Sequence, residues 1–122
     1  MATHATQEQK ALHPIQTISN KVLEALTGAF DILFEDKPHI TNKIVINLIY
    51  NDHMVIVFDG NHHVGIGMQF NQLEYQLVNN APDIIVKEVI DTVWERLHQM
   101  GLTVMSVNID SFFEITFMVR EM

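Results

Sequence analysis

No cysteine occurs in this chain. That removes disulfides, thiolate zinc sites and cysteine nucleophiles together, and it fits a reducing compartment. Basic residues are also scarce: seven Lys and Arg stand against fifteen Asp and Glu, for a formal charge of −8. Lys10, Lys21, Lys37, Lys43, Lys87, Arg96 and Arg120 are spread along the chain rather than clustered. Nucleic-acid affinity comes mainly from clustered cations neutralising phosphates, so DNA and RNA are not expected partners. An anionic membrane surface is excluded on the same ground. No apolar run reaches the ~18 residues of a membrane helix, and the opening MATHATQEQK lacks the apolar core of a signal peptide. The expected location is cytoplasmic.

What the chain does have is apolar content. Of its 122 residues, 48% are hydrophobic and only 18% charged, which excludes a disordered polypeptide. The length suits one domain. Residues 1–12 are polar and expected to be flexible, leaving a single domain over 13–122.

Residues 43–70 hold three apolar runs, KIVINLIY, HMVIVFD and HHVGIGMQF, separated by Asn51-Asp52 and Asp59-Gly60-Asn61. The separators are hairpin-turn residues that tolerate positive φ, so the segment reads as a three-stranded antiparallel meander. Before it, Ile15, Ile18, Val22, Leu26, Ala29 and Leu33 recur at helical spacing. Pro14 stands at a helix start, predicting a first helix over 14–34. Leu73, Tyr75 and Leu77 alternate with Glu74 and Gln76, which predicts a fourth, half-buried strand. Pro82 and Asp83 mark a second helix start. The helix carries Val86, Val89, Ile90, Val93, Trp94, Leu97 and Met100 on its apolar side, and Gly101 follows as its C′ residue. On that stripe Trp94 is expected in the core. Two strands close the chain, over 102–109 and 112–120.

The expected order is thus α-β-β-β-β-α-β-β. It defines an α+β two-layer sandwich with a mainly antiparallel sheet of about six strands and two helices. In layout it resembles the small acidic secretion chaperones, which also dimerise. It departs from them in having an extra strand before the second helix and no closing helix.

Chemistry is sought first among the histidines. His53, His62 and His63 look clustered, but the proposed hairpin puts His53 about 16 Å up the sheet from His62, at ~3.3 Å per residue. Adjacent His62 and His63 point to opposite faces of a strand. The constellation that survives is His39 with Asp59 and either His62 or His63, enough for a divalent metal with an open position. Against it stands an ordinary turn with solvated imidazoles. Gly65 and Gly67 share a strand face with His63 and Gln69, a strip where a ligand could approach the backbone, or where another element packs closely. No G-x-S-x-G, H-E-x-x-H or P-loop occurs, so no catalytic residue and no cofactor are assigned.

The first two strands are apolar on both sides, as strands covered on both faces are. Two helices on one side would leave Val45, Ile49, Val55, Val57, Phe112 and Met118 facing water. A large exposed apolar patch marks an interaction surface. Three readings follow. The first is a non-catalytic protein-binding or accessory protein, chaperone-like or phage-type, acting as a homodimer through its sheet. The second is a small-molecule-binding protein with a pocket near Gly65 and Gly67. The third is a small metal-dependent enzyme.

Overall fold

The computed structural model describes residues 7–35, 42–49, 53–80, 82–110 and 113–122. Helix α1 (Gln7–Leu33) leads into a meander of β1 (Lys43–Ile49), β2 (Met54–Asp59) and β3 (His62–Gly67). Two consecutive helices, α2 (Gln72–Asn80) and α3 (Pro82–Gln99), carry the chain to the hairpin of β4 (Leu102–Ile109) and β5 (Glu114–Glu121). The fold is α+β. All pairings in the single sheet are antiparallel, in the order β3-β2-β1-β5-β4.

The elements form for local reasons. Gly60 takes φ 61° as the first central residue between paired Asp59 and His62, which suits a tight two-residue hairpin of type II′. Gly101 takes φ 83° and ends α3 in the left-handed conformation expected of its position. Helix α1 starts at Gln7, so Pro14 lies inside it rather than at its first turn.

The segment expected to be a fourth strand is α2. The alternation of Leu73, Tyr75 and Leu77 covers only five residues and does not decide between a strand and a helix. The deciding signal is a capping box. The Glu74 N–H donates to Asn71 Oδ1 (2.8 Å), and the Asn71 N–H donates back to Glu74 Oε1 (2.9 Å). Val78, one turn beyond Glu74, is buried. The sheet therefore has five strands, and the helices number three among the described residues.

All three helices lie on one side of the sheet. Helix α1 runs over β2 and β3, and α3 over β4. Between the layers sits one core, including Ile18, Val22, Leu26 and Phe30 of α1, Val89, Val93 and Leu97 of α3, and Ile46, Val57 and Phe117 of the sheet. Helices α1 and α3 are tied by Ser19 donating to Glu88 and by the Arg96–Asp31 ion pair (2.6 Å). The Lys21 ammonium joins α1 to α2 by donating to Glu74 Oε1 (2.9 Å) and to the Gln69 carbonyl (2.8 Å). No described helix is long and apolar enough to cross a membrane.

Candidate functional site

Strand alternation sends every second residue of this sheet away from the helices. In β1 these are Lys43, Val45, Asn47 and Ile49; in β2 they are Met54, Ile56 and Phe58. The register aligns them in rows across the sheet. One row is Gly65, Ile56, Asn47 and Glu114; the next is His63, Phe58, Val45, Thr116 and Asn108. Lys43 pairs with Met118 and Arg120 with Thr103 toward one end. No described element covers this face.

Its centre is a six-residue block on β1 and β2 in which Asn47 is the one polar member. Each of the six is only partly buried, unlike their fully enclosed neighbours Ile46 and Val57. The Oδ1 atom of Asn47 is shut off from solvent and has no hydrogen-bond partner. Beside the block lies a shallow trough of about 420 Å³, lined by Lys43, Val45, Asn47, Phe58, Gly60, Asn61 and Glu114.

Charge is divided between the two layers. From 15 to 35, 72 to 80 and 83 to 99, the helical layer carries eight acidic side chains against Lys21, Lys87 and Arg96. The open sheet face carries Lys43, Arg120 and Glu114. Among the described residues the helical layer is therefore strongly acidic, and the open sheet face is close to neutral.

Of the residues expected on an open face, Val45, Ile49 and Met118 lie on it. Val55 and Val57 do not: both are 0% exposed and face the helices. The pairing of Ile49 with Met54 puts Met54, Ile56 and Phe58 outward instead. Both sides of β2 are apolar, so alternation alone does not say which side faces in. Phe112 lies outside the described residues.

His63, Gly65 and Gly67 share the open face, at the edge strand β3. The space above Gly65 is already taken: a Cβ there would lie 3.1 Å from Met54 Sδ and 3.4 Å from Ile56 Cγ1. Gly65 accommodates side chains of β2, whereas Gly67 has only the His53 carbonyl nearby, at 3.9 Å. Gln69 lies beyond the strand, with its carbonyl held by Lys21 on the helical side.

The histidines are dispersed. His63 packs against Phe58 on the open face, with ring centroids 5.3 Å apart. His62 belongs to the opposite face, paired with Asp59, which is fully buried. His53 sits at the far end of the hairpin, between the rings of Phe70 and Tyr75 at 5.5 and 5.4 Å. His39 lies outside the described residues. Among the described residues, no three of His, Cys, Asp or Glu come together as metal ligands.

Two further features differ from the sequence reading or escape it. Trp94 is 49% exposed rather than in the core. The buried line of α3 is Val86, Val89, Val93 and Leu97, and Trp94 lies about 100° round the helix from Val93. Glu74 is 5% exposed, and its contacts with Asn71 and Lys21 hold its carboxyl below the ordinary value of 4.5, against burial, which pushes it up. The pattern Asn71-x-x-Glu74 was the sequence signal for it.

Comparison with known protein families, with curated proteins and with solved structures returned no match.

Proposed function

We propose that this chain is a non-catalytic accessory protein, of the chaperone-like or phage-type kind, that binds another protein and acts as a homodimer through its open sheet face. The observation that carries this reading is the one-sided placement of the helices. It leaves Val45, Ile49, Met54, Ile56 and Phe58 in one contiguous patch. Covering such side chains gains roughly 25 cal/mol for each Å² of apolar surface removed from water. Contiguous apolar patches of this kind mark interaction surfaces on soluble proteins. Among the described residues, titratable groups do not converge on this face as an active site requires, which favours binding over catalysis. A cytoplasmic location and the absence of a nucleic-acid or membrane partner belong to the same reading.

A second reading has a specific observation behind it. The trough beside Asn47 brings Lys43, Asn61 and Glu114 together with the apolar side chains of Val45 and Phe58, and small-molecule sites also combine polar groups with apolar surface.

Substitution on the two sides of β2 tests the proposal. Ile56→Glu should preserve the far-ultraviolet circular dichroism while halving the mass seen by sedimentation equilibrium. Val57→Glu, aimed into the core, should abolish folding. An Ile56→Glu protein with the same mass as the parent would refute the sheet-face dimer.

A further inference from the structure

Resting on the homodimer just proposed, we infer that the two copies stack with their dyad running along the strands, so that β1 of each subunit lies over β2 of the other. Three observations carry this, beginning with size. With the dyad between β1 and β2, four strands (β3, β2, β1 and β5) at ~4.8 Å and about seven residues at ~3.3 Å give an overlap of roughly 19 by 23 Å, with β4 beyond it. Allowing for corrugation, that approaches the lower end, roughly 600 Å² for each partner, of specific interfaces.

Charge identifies the occupant. Docking two copies through their helical sides would set seven solvent-facing carboxylates against the same seven, with only Lys21, Lys87 and Arg96 to offset them. Among the described residues the sheet face carries Lys43, Arg120 and Glu114 as its formal charges, and it brings no such excess of one sign. A basic partner would choose the helical side; a second copy of this chain is the partner that fits the sheet.

Register then chooses the orientation. Face-to-face packing requires a two-fold axis lying in the interface plane. Centred on the apolar block, that axis runs either across the strands or along them. Across the strands, each residue of the central row meets itself, and Glu114 faces the partner's Glu114. Along the strands, β1 and β2 exchange places. Val45 then lies over the partner's Phe58, Ile49 over the partner's Met54, and Asn47 over the partner's Ile56. Strand β5 lies over the partner's β3, so Glu114 meets Gly65 and the β2 side chains that pack over it rather than a second Glu114. The like-charge contact disappears. Asn47 does not favour self-pairing, because its unpartnered oxygen is already enclosed within its own subunit. Glu114 is its cross-strand neighbour on β5.

Because the chain contains no cysteine, single introduced thiols read the arrangement directly. Disulfides do bridge sheets packed face to face. Full-length Asn47→Cys and Ile56→Cys proteins are oxidised separately and after mixing with time for subunit exchange, and covalent dimers are scored on a non-reducing gel. Native mass spectrometry of the same samples gives the subunit number. The inference predicts cross-linking in the mixture and none in either protein alone. Cross-linking of Asn47→Cys alone would place the axis across the strands and overturn the inference, while leaving the dimer standing. Two-copy mass with no cross-link in any sample would overturn it as well. A one-copy mass for the parent chain would bring down the inference and the homodimer together. As a second reading, Glu114→Gln should not tighten the dimer. A tightening of more than about tenfold would reveal the carboxylate pair of the crossed arrangement.

Discussion

Replacing Glu74 by glutamine isolates one charge at the junction of α1, the β3–α2 connection and α2. The side chain is 5% exposed and accepts from the Asn71 N–H and the Lys21 ammonium, each at 2.9 Å. Glutamine keeps an acceptor oxygen for both donors and loses only the charge. A hydrogen bond to a charged group contributes about 1.5–3 kcal/mol. Lys21 is 38% exposed, so solvent screening reduces this to about 1 kcal/mol. Near neutral pH, Glu74→Gln should therefore lower the melting temperature by about 4 °C for a domain of this size. The pH dependence makes the test specific. The folded-state carboxyl titrates below 4.5, its ordinary value. Its stabilising contribution is complete above that value and is lost as the pH falls through the folded-state pKa. Urea unfolding of both proteins at one fixed concentration, from pH 7 to pH 3, should show a gap that closes on acidification. A gap that is the same at every pH, or absent at pH 7, would refute the assignment of Glu74 as a charged anchor.

Other substitutions probe the packing. Gly28→Ala should stabilise α1 by about 0.5–1 kcal/mol. The added methyl would meet Ile66 Cγ1 at 4.0 Å, an ordinary contact. Thermal melts should show the gain, and a loss would mean that α1 sits closer to β3 than described. Phe117→Ala should cost about 3–5 kcal/mol, since this ring is wholly enclosed between the layers. Trp94→Ala, at a half-exposed position, should cost less than half as much by urea titration. Treatment with a chelator should leave the melting temperature unchanged; a fall would revive a metal at His39, Asp59 and His62 or His63.

The parts of the fold that could be read from the chain share a property: pattern and punctuation agree. The meander was legible because β-branched runs are interrupted by Asp59-Gly60-Asn61, and Gly60 adopts the positive φ its position calls for. The span Leu102–Ile109 and the end of α3 near Gly101 were legible for the same reason. Where the two signals diverged, pattern misled. Leu73, Tyr75 and Leu77 alternate over too short a stretch, and Asn71 with Glu74 outweighs them by satisfying backbone N–H groups at the helix start.

The two-sided apolar character of β1 and β2 is the sequence signal behind the candidate surface. Membership of that surface required the register. Four residues connect Ile49 to Met54, and a shift of one position would exchange Ile56 for Val57. Asn47 was the available clue, since its presence assigns the Val45–Ile49 side of β1 to the less buried face. Trp94 was misplaced because seven apolar residues make a stripe wider than α3 can bury.

Native mass spectrometry of the unmodified chain over a range of concentrations tests the central claim most directly, that a second copy covers the sheet face. The account predicts a species of twice 14.0 kDa that persists on dilution and carries no small ligand. A lone 14.0 kDa subunit at every concentration would contradict it.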